Sequence, residues 1–139
     1  MVVNAPQLDQ DWEQRRRALR HELRTHLNHI LSYAELLHYD ADAAGEVEFA
    51  EQLKSVQEAG QEGLTTIGRM LDTLSTDSDA VPAYVETVEH LMESVQETAA
   101  RLQASDYASD DDQVASDLKR IANSAQQLVA AVQTVASAG

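Results

Sequence analysis

The sequence contains no cysteine, only two prolines and five glycines, and few aromatic residues (4%). The lack of cysteine excludes a disulfide framework, a thiolate metal site and a catalytic thiol, and it suits a reducing compartment, so we expect the cytoplasm. No stretch approaches the roughly 20 apolar residues that cross a bilayer, and MVVNAPQLDQ lacks the basic and apolar parts of a signal peptide. We therefore expect neither membrane insertion nor export.

Positive charge is also scarce, with 10 Lys and Arg against 24 Asp and Glu and a formal net charge of -14. This balance argues against nucleic-acid binding, because phosphate backbones are held by clustered cations. Half of the cations nevertheless lie together around His21: Arg15, Arg16, Arg17, Arg20 and Arg24. This locally positive stretch is either a solvated helix face or a surface for an acidic partner or a phosphoryl group.

With so little glycine and proline, the abundant Ala, Leu, Glu and Gln favour helix throughout. Apolar residues recur every three or four positions in four segments, which is the spacing of amphipathic helices. The predicted helices run from about Asp9 to Tyr39, Ala50 to Leu74, Pro82 to Leu102 and Val114 to Val135. Short polar connections between them predict an all-α antiparallel four-helix bundle, formed by one domain of residues 1–139.

The two halves of the chain also resemble each other. A shift of 65 residues brings Leu53 onto Leu118 (118 − 53 = 65) and aligns the apolar positions of the first half with those of the second, without a gap. This indicates two tandem helical hairpins, at about 9–75 and 82–138, and an internal duplication. The alternative is a chance alignment, since any two amphipathic hairpins align somewhere.

The stretch RHELRTHLNHILSYAELL, from Arg20 to Leu37, contains the residues best suited to chemistry. At about 100° per residue, His21 lies on the opposite side of the helix from Leu19 and Leu23 and should face water. A nucleophilic imidazole needs one nitrogen free and the other held as N–H. The alternative is a solvated surface histidine with no chemical role.

Three further side chains lie close to His21 on the predicted helix. Thr25 and Asn28, one and two turns further on, share its stripe. Glu22 is adjacent, and a carboxylate there can fix the imidazole tautomer and stabilise developing positive charge. These residues, with His21, form the candidate catalytic site.

The same stretch resembles the phosphoacceptor box of sensor histidine kinases, in their dimerisation and histidine-phosphotransfer domain. That pattern is His, Glu or Asp, Leu, Arg, Thr, Pro, Leu and a polar residue, and here it runs from His21 to Asn28 with His26 at the proline position. FAEQLKSVQEAGQEGLTTIGRMLDTLS also looks like the second helix of that hairpin, so the resemblance covers about residues 15–75. It implies that His21 is the phosphoacceptor, and that Glu22 and Thr25 could help hydrolyse a partner's aspartyl phosphate.

The resemblance implies exchange of a phosphoryl group with the aspartate of a response-regulator receiver domain, whose acidic site holds Mg²⁺. Arg17, Arg20 and Arg24 suit docking of such a partner. The chain has no glycine-rich nucleotide loop and none of the motifs of the kinase ATP-binding domain, so we expect no autonomous ATP-dependent kinase activity. A histidine kinase or an ATP-binding domain would have to be supplied separately.

Under the 65-residue shift His21 falls on Glu86 (21 + 65 = 86), so the second hairpin has no equivalent nucleophile. The favoured arrangement is a monomeric pseudo-dimer with one phosphoacceptor. A homodimer through the first two helices is the alternative.

Two other functions stay open: a non-catalytic module that binds or sequesters a response regulator, and a phosphatase that acts through Glu22 and Thr25. The chain could equally be the phosphoacceptor fragment of a larger sensor histidine kinase.

The remaining histidines give little sign of a metal site. His21, His26 and His29 lack the i, i+4 pairing of a helical zinc site, and no carboxylate cluster completes one. We therefore predict no metal and no cofactor on this chain. His38 and His90 are interpreted as ordinary surface or boundary residues.

Overall fold

The computed structural model describes residues 5–74 and 76–138, and their side chains from 11 to 74 and from 76 to 136. All regular structure in this range is helical, which confirms the predicted all-α class. The elements are α1 (Ala5–Ala43), α2 (Val47–Thr73), a 3₁₀ turn (Ser78–Ala80), α3 (Val81–Gln103), α4 (Asp106–Ser109) and α5 (Asp112–Ala138). The predicted domain limits at 1 and 139 and the predicted end of the first hairpin at 75 lie outside the described residues.

The first helix is longer than predicted. It continues past Tyr39 to Ala43, because the polar segment that interrupts the apolar spacing is rich in alanine and contains no helix breaker before Gly45. Gly45 has a positive φ of 77°. This conformation lets the N–H of Glu46 donate to the carbonyl of Ala41 (2.9 Å) and ends the helix. The end of α1 is therefore set by glycine rather than by the change in hydrophobicity.

The prediction of four helices omitted α4, which lies in the segment SDYASDDD that we expected to be a loop. The Ser105 hydroxyl caps this short helix by accepting a hydrogen bond from the N–H of Ala108 (3.3 Å). The ring of Tyr107 meets the ring of Phe49 edge-on, with centroids 4.9 Å apart. A local cap, one aromatic contact and the burial of Ala108 in the core hold α4, and none of these leaves a periodic apolar pattern in the sequence.

The four long helices surround one apolar core. Helix α1 packs against α2 and α5, and α3 packs against the same two helices, so each long helix lies between two others. The buried apolar side chains of all four form a single cluster. On α1 the fully buried residues include Leu23, Leu27 and Ile30. One face of α1 is thus buried in the core, and the opposite face is exposed to solvent.

Burial repeats between the two halves of the chain at the 65-residue shift. Pairs in which both members are buried include Leu27 with Met92, Leu53 with Leu118 and Ile67 with Val132. The helix contacts also correspond, since α1 with α2 matches α3 with α5, and α1 with α5 matches α3 with α2. The halves therefore share both their buried positions and their packing neighbours.

Two glycines let α2 approach α1 closely. A Cβ at Gly60 would lie 2.7 Å from Cδ2 of Leu31, and one at Gly63 would lie 3.2 Å from Cδ2 of Leu27. The first distance is too short for a real contact, so Leu31 would have to move. Close packing of the two helices here fixes the part of α1 that follows His21.

Gly68, also in α2, offers a contrast, because a Cβ there would meet nothing within 4 Å. Gly68→Ala should raise the free energy of unfolding by about 0.5–1 kcal/mol, since alanine loses less backbone entropy in a helix. Gly60→Ala should gain less than this, or lose stability, because Leu31 must be displaced. Urea denaturation of both variants measures these changes. Equal gains in the free energy of unfolding would contradict the close packing of α2 against α1 at Gly60.

In the part of the chain that the structure describes, no helix combines the length and apolar character needed to cross a membrane.

Candidate functional site

The orientation of α1 places His21 on the outside of the molecule. The imidazole is exposed, whereas the side chains of Leu23 and Leu27 are fully buried and Leu19 is half-buried. These leucines fix the rotation of the helix about its own axis, so His21 is held facing solvent. The exposure of His21 agrees with the prediction from the apolar spacing. The chemical role of His21 stays a prediction.

Thr25 and Asn28 follow His21 along the same face of α1. Asn28 is exposed and Thr25 is half-buried. The Thr25 hydroxyl donates to the backbone carbonyl of His21, with an oxygen–oxygen distance of 2.7 Å. This bond fixes the threonine rotamer and uses its only hydrogen, so Thr25 can act toward a water molecule only as an acceptor.

Glu22 is exposed beside His21 and lines two depressions in the surface. One is a groove of about 750 Å³ at the end of the core, with Trp12 and Pro82 among its walls. The other is a crevice of about 330 Å³ between α1 and α5. An exposed glutamate can adopt several rotamers, so its carboxylate is able to turn toward His21 or toward either depression.

Two of the arginines around His21 form ion pairs. A guanidinium nitrogen of Arg20 lies 3.5 Å from a carboxylate oxygen of Asp72 on α2, and Arg16 lies 3.0 Å from Glu13 on its own helix. All four side chains are partly open to solvent, so screening leaves each pair worth little. Arg20 is consequently available to a partner that offers a better-placed anion.

Arg17 and Arg24 make the stronger candidates for docking. They lie one turn before and one turn after His21 and are exposed. Within the described residues neither forms an ion pair. The structure therefore places Arg17 and Arg24 on the face of α1 that bears His21, and it places Arg20, the third predicted docking cation, at the edge of that face.

Sequence reasoning missed an apolar surface that continues the same face. Tyr39 is 72% exposed and Leu36 is 50% exposed. Tyr39 lies eighteen residues after His21, which is five helical turns and about 27 Å along the axis. The separation of eighteen residues could have shown from the sequence that Tyr39 lies on the same face as His21. Apolar residues at helical spacing are, however, more commonly core residues, so the sequence did not mark Tyr39 as exposed. Large exposed apolar side chains in one row are a feature of interaction surfaces.

His26 occupies the position that holds proline in the resembling family, and α1 is helical through it. The side chain is half-buried in the crevice between α1 and α5. Its Nδ1 atom is buried and finds no hydrogen-bond partner among the described residues. Sequence reasoning recognised the departure from proline but gave His26 no role.

No group of three or more His, Asp or Glu side chains in the described ranges is arranged to hold a metal ion. Comparisons of the chain with protein-family models, with curated proteins and with solved structures found no match. Function is therefore inferred from the residues of the site and from the resemblance of its motif.

Proposed function

We propose that this chain is a histidine phosphotransfer module of two-component signalling, in which His21 exchanges a phosphoryl group with the aspartate of a response-regulator receiver domain. The observation that carries the proposal is the string HELRTHLN, from His21 to Asn28, on a helix that turns His21 outward. A packed helix holds the nucleophile in position, and an exposed imidazole can enter the active site of a partner.

In the transfer to this chain, a ring nitrogen of His21 attacks the phosphorus of the aspartyl phosphate. A P–N bond forms as the P–O bond to the aspartate breaks, and the receiver keeps the carboxylate. The other ring nitrogen retains its proton, and the carboxylate of Glu22, turned toward it, stabilises the positive charge that develops. Transfer in the other direction follows the same steps in reverse. Mg²⁺ is bound by the receiver and not by this chain.

Charge supports an acidic partner. The chain as a whole is strongly acidic, yet the face around His21 carries the exposed cations Arg17 and Arg24, with Arg20 close by. Opposite charges speed the encounter of two proteins and orient them before contact. Leu36 and Tyr39, further along α1, provide exposed apolar area that a receiver domain can bury on binding.

Arg24→Glu should slow transfer from a phosphorylated receiver by roughly tenfold at low ionic strength, and by less at high ionic strength. Lys119→Glu is the matched control, because it makes the same change of charge at an exposed position on α5. Quench-flow measurement of the transfer rate at two salt concentrations tests this. Equal slowing in both variants would show that net charge alone matters.

The arrangement that fits this function is an antiparallel four-helix bundle of two tandem hairpins, a pseudo-dimer within one chain. The short connections, the shared packing neighbours and the repeated burial support it. Glu86 takes the place of His21 in the second hairpin, so each chain has one phosphoacceptor. Sedimentation equilibrium tests the arrangement, because a monomer has a mass of 15.3 kDa and the alternative homodimer has twice that.

In this function the chain does not use ATP itself, and another protein or domain does. The sequence contains no nucleotide-binding motif, so the phosphoryl group comes from a phosphorylated receiver or from a separate histidine kinase or ATP-binding domain. The chain then serves as one stage of a phosphorelay.

The test is to incubate the purified chain with a phosphorylated receiver domain and Mg²⁺ and to follow the phosphoryl group. Acid-labile, base-stable phosphate that maps to His21 by peptide mass spectrometry supports transfer. Tight binding of the receiver without label would instead indicate a module that sequesters a regulator. Loss of phosphate from the receiver without label on the chain would indicate a phosphatase that uses Glu22 and Thr25.

A further inference from the structure

His26 is the one histidine of this chain with a buried ring nitrogen that lacks a partner within the described structure. An imidazole nitrogen in this situation loses its hydrogen bond to water without gaining another. Such groups are uncommon in folded proteins, and each calls for an explanation. The side chains that line the open crevice in which His26 lies are the candidates for this partner.

The crevice, about 330 Å³ in volume, is formed by α1 and α5. Besides His26, its polar lining consists of Glu22 on α1 and of Gln127 and Thr134 on α5. Glu22 is the only one of these that carries a charge, and hydrogen bonds to a carboxylate are stronger than those to an amide or a hydroxyl. Glu22 is also exposed, so it can rotate into the crevice without breaking a packed contact. The Nδ1 atom is enclosed, so the half-buried ring of His26 must also turn about its Cβ–Cγ bond to meet this carboxylate.

The helix geometry favours a contact between these two side chains. Glu22 precedes His26 by four residues, and side chains on an α-helix lean toward the N-terminus, so the imidazole leans over the turn that bears Glu22. Around the helix axis Glu22 is about 40° from His26 but about 100° from His21. A carboxylate that approaches His26 therefore turns away from His21.

We infer that His26 is a positioning residue that restrains phosphotransfer: its Nδ1–H donates to the carboxylate of Glu22 and holds that carboxylate in the crevice, away from His21. The inference rests on the proposed function, in which Glu22 assists His21. Transfer then requires Glu22 to leave His26. A proline at this position, as in the resembling family, has no side-chain donor and could not impose this restraint.

The kinetic test uses His26→Ala, with His29→Ala as the matched control, because His29 is an exposed imidazole on the same helix. His26→Ala should raise the rate of phosphoryl transfer from the receiver by about threefold or more, since the restraint on Glu22 is lost. His29→Ala should leave the rate unchanged. In a Glu22→Gln background, His26→Ala should have no effect. A slower or unchanged His26→Ala variant, with the helical circular dichroism of the native chain, would overturn the inference.

A second measurement does not depend on transfer. The ¹⁵N shifts of the imidazole distinguish a ring protonated on Nδ1 from one protonated on Nε2. His26 should carry its proton on Nδ1 in the native chain, and this preference should be lost in Glu22→Gln. The same Nε2–H spectrum in both proteins would refute the hydrogen bond. If no variant accepts phosphate, the proposed function and the restraint on it both fail, while the spectrum still decides whether Glu22 and His26 pair.

Discussion

His21→Gln is expected to abolish acid-labile phosphorylation of the chain. Glutamine has a similar length and polarity and suits an exposed helix position, but its amide nitrogen is not a nucleophile and cannot form the P–N bond. No other exposed imidazole of α1 has the same orientation, because His29 is turned about 80° around the helix, and the exposed His90 lies on α3. Phosphate incorporation from a phosphorylated receiver should fall below detection.

His29→Gln is the control for this experiment, since it removes an exposed imidazole from the same helix and leaves His21 in place. It should accept phosphate at the native rate. Receiver binding to His21→Gln, measured by titration calorimetry, should stay within about threefold of the native affinity, because one exposed side chain is a small part of an interface. Continued labelling of His21→Gln would mean that another residue is the phosphoacceptor.

The apolar spacing was sufficient to predict the four long helices and the outward orientation of His21. Both depend on one physical fact, namely that a helix in water buries its apolar face, and Leu23 and Leu27 mark that face clearly. The ends of the helices were harder to predict. At the end of α1 the apolar pattern stops before the helix does, because alanine favours helix whether or not it is buried.

Other features escaped prediction because they depend on which helices become neighbours. Arg20 meets Asp72, fifty-two residues later, only because α2 returns alongside α1. The crevice around His26 exists only because α5 packs on the other side of α1. The sequence of a single helix indicates which face is apolar but not which helices lie beside it, so the outward position of His21 could be predicted and the surroundings of Glu22 could not.

Leu53→Ala and Leu118→Ala are each expected to lower the free energy of unfolding by about 2–5 kcal/mol, because both side chains are fully buried and their loss leaves a cavity. The two residues correspond under the 65-residue shift, and each is followed by an exposed lysine, Lys54 or Lys119. Lys54→Ala and Lys119→Ala are matched controls that should change stability by less than about 0.5 kcal/mol.

The shape of the unfolding transition makes this pair of variants a test of the architecture. If the two hairpins share one core, as in a pseudo-dimer, the loss of either leucine weakens the same cooperative unit. Urea denaturation followed by circular dichroism should then show one transition in both variants, shifted to lower urea by similar amounts. If the second hairpin is instead an appendage to a homodimer of the first, Leu118→Ala should unfold in two steps. Its first step would then not depend on protein concentration, whereas the unfolding of Leu53→Ala would, because that leucine would lie in the dimer core.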